Sequence, residues 1–201
     1  MDKKRQILIT ARALFNEKGY HQVKMRDISN ELGISVGNLT YHYKKKQDII
    51  QAIHQEVYET LNEEHAVETL SDLMNLLRHM IRTLFNEKYY FNDRTIGDEL
   101  PEFIEEQGRR SIDVKQNVID GMKKLRENGL LNVDDESIEV VIQFILLSHI
   151  GWILDIKELT EEIEDAYINQ HLILLKPYLT EAGLKEYEQL KKRLEKKLIA
   201  F

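Results

Sequence analysis

LGISVGNLTYHYKKKQD, Leu32 to Asp48, decides how the rest of the chain is read. A glycine-centred turn leads into a short segment that holds no acid before Asp48 and ends in three consecutive lysines. The surrounding chain is acidic: its 201 residues carry a formal net charge of -7. Residues 1–48 hold ten Lys or Arg against five Asp or Glu, a net of +5, and the remainder holds 18 against 30, a net of −12. A basic head on an acidic body points to a head that meets a polyanion and a body that does not.

Local chemistry gives the segment a shape. Gly33 ends one short helix, which carries Met25, Ile28 and Leu32 on one face, and the next starts at Ser35, whose hydroxyl accepts from a free backbone N–H as an N-cap. Ile34 and Leu39 fall at the N′ and N4 positions of a hydrophobic staple, which fixes the angle between the two helices. Two short helices joined this way form a helix-turn-helix, whose second helix enters a DNA major groove. On a helical wheel Leu39 and Tyr43 share the side that faces a small core. Gly37, Asn38, Thr40 and Tyr41 share the opposite side. Asn38 and Thr40 carry hydrogen-bonding groups suited to base edges, Gly37 lets backbone come close, and Val36 and Thr40 offer methyl groups to a thymine methyl. Lys44, Lys45 and Lys46 stand at the start of the following helix, where free N–H groups and the helix dipole already favour an anion, so Lys46 is expected to hold a phosphate.

Outward from this point nearly everything reads as helix. With only nine glycines and two prolines and no alternating strand pattern, the fold class is all-α. Helix one covers about Lys3 to Lys18 and stops at Gly19 as a left-handed C-cap. Helix four runs from near Gln47 past Leu61. Leu70, Leu73, Leu77, Ile81 and Leu84 mark another helix, residues 86–110 are ambiguous, and Ile112–Asn128, Ser137–Ile156 and Glu161–Lys176 follow. Leu184, Tyr187, Leu190, Leu194 and Leu198 mark a final amphipathic helix. The run VVIQFILLSHIGWIL, Val140 to Leu154, is shorter than the ~20 residues a membrane span needs and is interrupted by Gln143, Ser148 and His149, so a buried helix is expected. Cysteine is absent, which excludes disulfides and thiolate chemistry and suits a reducing, cytoplasmic setting.

MRDISNELGISVGNLTYHYKKKQDII, Met25 to Ile50, resembles the DNA-binding signature of the TetR family of bacterial transcriptional regulators. The likeness is close over about residues 3–61 and beyond that is limited to helical layout and length. It implies an N-terminal three-helix helix-turn-helix DNA-binding domain, residues 1–48, and a helical C-terminal ligand-binding and dimerisation domain, residues 49–201, with helix four at about 47–63 linking them. By position it implies base contacts from Arg26, Val36, Gly37, Asn38, Thr40 and Tyr41 and phosphate contacts from His42 and Lys46. Thr40 stands where the family usually carries Tyr. Lys24 stands where a Ser or Thr often caps helix two, and is expected to reach a phosphate instead.

In the body, Tyr89, Tyr90, Phe91, Phe103, Met122, His149 and Trp152 are candidates for lining a site for a small apolar effector, with core packing as the competing explanation for each. The helix Ser137–Ile156 has two apolar stripes. Ile138, Val141, Ile142, Ile145, His149 and Trp152 form one, and Val140, Phe144, Leu147 and Ile150 form another. A single subunit covers one of them, so this helix and Glu161–Lys176 are expected to form a homodimer interface. No phosphate loop, nucleophile elbow, dinucleotide fingerprint or histidine metal spacing appears, so no enzyme activity, cofactor or metal is expected. The reading is a homodimeric regulator of double-stranded DNA, a repressor released from a palindromic operator by a small molecule. The alternative is a DNA-binding scaffold whose body docks a protein partner.

Overall fold

The structure, a computed structural model, describes residues 2–63, 66–93 and 95–199, and their side chains except those of residues 98–99, 101–104, 107 and 195–199. Eleven α-helices follow one another among the described residues: α1 Lys3–Lys18, α2 Met25–Glu31, α3 Val36–His42, α4 Lys46–Leu61, α5 Leu70–Phe85, α6 Lys88–Asn92, α7 Ile96–Glu99, α8 Pro101–Glu127, α9 Asp135–Asp155, α10 Glu161–Leu175 and α11 Glu181–Ile199. A single 3₁₀ turn, Lys176–Tyr178, separates α10 from α11. The all-α fold class holds.

Several boundaries come directly from local chemistry. Asp134 caps α9 by accepting from the Ser137 N–H at 2.7 Å, and Thr160 caps α10 through the Ile163 N–H at 3.3 Å. Two ends differ from expectation. Gly19 has φ 82° but ψ 147°, so the chain leaves α1 through a positive-φ conformation open to glycine and not through a left-handed helical cap. The ambiguous 86–110 stretch resolves into α6, α7 and the start of α8, because Pro101 opens α8 instead of breaking it. At the first helical position proline forfeits only an N–H that has no intrahelical partner.

The chain packs into two compact units, residues 1–61 with 83–111 and residues 62–82 with 112–201. In the first unit Ile7, Phe15, Tyr20, Ile28, Leu39, Ile49, Ile50 and Ile53 are fully enclosed, and Tyr89 and Ile96 join the same core. Arg12 pairs with the buried Glu87 at 2.6 Å, and burial pushes the Glu87 carboxyl up to about 7 even though that guanidinium opposes the rise.

The second unit buries Leu70, Leu73 and Leu77 of α5, Met122 and Leu125 of α8, and Ile168 and Leu172 of α10. Helix α9 is long and apolar enough to cross a membrane by length and composition alone, reaching further than the 140–154 run. Its Ile138, Ile142, Ile145, His149 and Ile153 instead lie in the core of this unit. Two polar clusters form around buried residues of α10 here. Arg82 grips both oxygens of Glu164, each at 2.5 Å, while Arg78 holds Asp165 at 2.5 Å. Further along α10, His171 Nδ1 donates to the Tyr167 carbonyl at 2.8 Å, and the Tyr167 hydroxyl lies 2.6 Å from His149 Nδ1.

Burial lowers the His149 imidazole from 6.5 to about 4, and burial also lowers His171. An unfolded chain therefore binds protons that the folded unit refuses. The stability contributed by neutral His149 is complete above about pH 6.5 and is lost as pH falls toward about 4. Urea unfolding across that window should show stability rising with pH, and His149→Gln should flatten the slope. An unchanged slope would contradict this assignment.

Candidate nucleic-acid interface

Helix α3 has seven residues, too few to be stable alone, so its packing determines which side it presents. Leu39 is fully buried in the core of the first unit, and Ile34 and Tyr43 pack against that core. Gly33, at φ 64°, makes the turn in a conformation that an L side chain would strain. Ser35 accepts the Asn38 backbone N–H at 3.1 Å, which fixes the first turn. These contacts direct Val36, Gly37, Asn38 and Tyr41 outward as exposed residues, with Thr40 half-buried beside them. Tyr41 is 86% exposed, a poor site for an aromatic ring unless something covers it. A Cβ on Gly37 would meet nothing nearer than the Ser35 hydroxyl at 3.9 Å, so packing within the protein does not require glycine there. The Thr40 hydroxyl donates to the Gly37 carbonyl at 3.1 Å, which leaves its oxygen able to accept from a base amino group.

The flanking cations are placed by a repeated device. Lys24 precedes α2 and its backbone N–H donates to Asp27 at 2.7 Å. Lys45 precedes α4 and its N–H donates to Asp48 at 3.1 Å. A lysine ammonium accepts no hydrogen bond, so only the returning half of a capping box forms, and both side chains stay exposed at positive helix ends. The pattern Lys-x-x-Asp at both helix starts carried this signal in the sequence. Lys44 and Arg26 are also exposed, and the half-buried His42 ring packs edge-on to Tyr41 at 5.3 Å. Lys46 is held differently: its ammonium donates to the Tyr20 carbonyl at 2.8 Å and lies 3.9 Å from the centre of the Tyr20 ring. Sequence reasoning missed this tie because Tyr20 is 26 residues away.

The seven effector candidates do not gather in one unit. Tyr89 is buried in the core of the first unit with its hydroxyl 3.3 Å from His54, and Tyr90 and Phe91 follow it as half-buried residues. Met122, His149 and Trp152 belong to the second unit, where the first two are fully buried. Phe103 lies outside the described side chains. Among the described residues no three His, Cys, Asp or Glu side chains come together as a metal site.

Two family models cover most of the chain. Bacterial regulatory proteins of the tetR family match residues 7–53, and a model described as bacterial transcriptional repressor matches residues 51–187. The chain belongs to the TetR family of transcriptional regulators. Its helix-turn-helix is therefore a DNA-binding domain. The HTH-type transcriptional regulator UidR of Escherichia coli K12 is 42% identical over 48 residues, which span 24% of this chain and 24% of UidR. The match thus covers about a quarter of that relative's length. A TetR-family transcriptional regulator from Marinobacter aquaeolei VT8 superposes with a TM-score of 0.83 over 98% of each chain at 24% identity, which shows a shared fold. SmeT, solved as a complex with triclosan, superposes with a TM-score of 0.63 over 90% of this chain and 93% of its own, at 16% identity.

Equilibrium binding to random and selected duplexes should separate the residue roles. Lys45→Ala and Lys46→Ala should weaken all sequences about equally and lower the slope of log K against log salt. Lys46→Ala should also destabilise the protein by about 1 kcal/mol, since the ammonium's hydrogen bond to the Tyr20 carbonyl and its place over the Tyr20 ring are lost. Asn38→Ala and Thr40→Ala should instead alter preference at individual base pairs, by ~1–3 kcal/mol each. Uniform effects from all four would show that the wrong face of α3 has been assigned.

Proposed function

We propose that this TetR-family regulator is a cytoplasmic repressor that binds a palindromic operator as a homodimer and leaves it when a small molecule binds. Arg26, Val36, Gly37, Asn38, Thr40 and Tyr41 meet the bases. Lys24, His42 and Lys46 meet phosphates.

The observation that carries the dimer is a second apolar stripe on α9. Val140, Phe144, Leu147 and Leu154 are 50%, 66%, 55% and 41% exposed. With exposed Gly151 they recur at alternating four- and three-residue steps, the repeat of a coiled-coil seam. Helix α10 packs antiparallel to α9 through the His149, Tyr167 and His171 rings, and itself exposes Ile173 and Leu174. A two-fold axis lets this surface cover itself, giving a four-helix interface from α9 and α10 of two copies.

Such a dimer carries two reading heads, which must meet successive major grooves ~34–36 Å apart or a multiple of that. Helices α5 and α8 each contribute residues to both compact units, so a ligand-induced change in the second unit has covalent routes to the first. The effector must bind the released state more tightly than the DNA-bound state, since equal affinity shifts nothing.

Two glutamate substitutions test the interface. Leu147→Glu would bury two like charges across the two-fold axis, so sedimentation should find a monomer with full helix content by circular dichroism. Its operator affinity should collapse with the loss of the second half-site. Ile145→Glu places a charge in the core of the unit itself and should cost helix content instead. A Leu147→Glu chain that remains a folded dimer would overturn the interface.

A further inference from the structure

Helices α5, α10 and α11 of the second unit line a half-open cleft of about 160 Å³. Its walls are mainly apolar, with Met74 from α5, Ile168 and Leu172 from α10 and Leu190 from α11. A hydrocarbon-lined cavity of ~150 Å³ accommodates a benzene ring. The size here therefore fits one ring or a short branched chain.

The polar groups of the cavity give it a sign. Arg78 of α5 lines one wall and Arg193 of α11 another. Arg78 and Arg82 already face Glu164 and Asp165, and Glu161 also acts on Arg82, so both cations are engaged by carboxylates. Arg193 adds a third guanidinium and makes no ion pair with the described residues. Arg193 is thus the cation of the cleft that no described carboxylate engages, beside its apolar walls. A planar guanidinium matches a carboxylate with two parallel hydrogen bonds.

We propose that this cleft binds a small monocarboxylate with an apolar body, its carboxylate on Arg193 and its body between Met74, Leu172 and Leu190. A carboxylate pairs with the Arg193 guanidinium, which would repel a cation. Arg78 lines the same cleft and holds Asp165 on α10. An anion that draws on Arg78 therefore loosens the grip on the helix that exposes Ile173 and Leu174. The inference names a ligand class for the effector proposed above.

The test is titration calorimetry of the full chain without DNA, using benzoate, benzyl alcohol and benzylamine. Its failure therefore leaves the DNA-binding and dimer assignments standing. Benzoate should bind saturably, benzyl alcohol at least about tenfold more weakly, and benzylamine not at all, tenfold being worth ~1.4 kcal/mol. Arg193→Gln, a change on an exposed residue, should weaken benzoate about tenfold or more. Leu190→Trp should fill the cavity and abolish benzoate binding while circular dichroism stays unchanged. No saturation by benzoate at millimolar concentration would overturn the proposal. So would equal affinity for benzyl alcohol, or benzoate binding unaffected by Arg193→Gln.

Discussion

The burial of Leu39 governs what this protein presents to DNA. A seven-residue helix has no stability of its own, and α3 holds its orientation only because one side is locked into a core built by α1, α2, α4 and the 83–111 segment. Rotating α3 enough to expose Leu39 would forfeit about 1.5–3 kcal/mol of apolar burial and turn Asn38 and Tyr41 away from solvent. The Ser35 cap and the Gly33 turn set where the helix begins, and Leu39 sets which way it faces. Every base-reading role assigned to Gly37, Asn38, Thr40 and Tyr41 rests on that arrangement.

Helix α9 is subject to the opposite constraint. It carries apolar residues on nearly every side, and one compact unit covers only the stripe of Ile138, Ile142, Ile145, His149 and Ile153. The stripe of Val140, Phe144, Leu147 and Leu154 is left in water, where an exposed apolar surface of this length is costly to maintain. In the proposed dimer a second copy would cover it through symmetry. The same proposed association would supply the second reading head, so the physical argument for a dimer and the proposed palindrome meet on one helix.

Much of this was legible in the sequence wherever short-range rules suffice. The extent of α1 follows from helical period, and the Ser35 cap and the outward face of α3 from capping chemistry and period, and the structure places them accordingly. The two stripes of α9 were visible, but Ile145 and Leu147 are equally apolar, and only packing distinguishes the buried one from the exposed one. Long-range placement was not legible. Nothing near Tyr89 and Ile96 signals that they complete the core of the first unit, or that Tyr20 holds the Lys46 ammonium. Pro101 and Gly108 fall in the ambiguous 86–110 stretch, yet α8 runs from the first through the second. The aromatic residues picked out for an effector divide between the two units, since composition records what a side chain offers but not what it packs against.

Two copies of α3 are proposed to read one DNA duplex together. Selection of binding sites from random duplex DNA by the intact protein decides this. An enriched inverted repeat is expected, with half-site centres one helical turn of ~10 base pairs apart or a multiple of that. Enrichment of an isolated, unpaired half-site, or of no sequence at all, would contradict it.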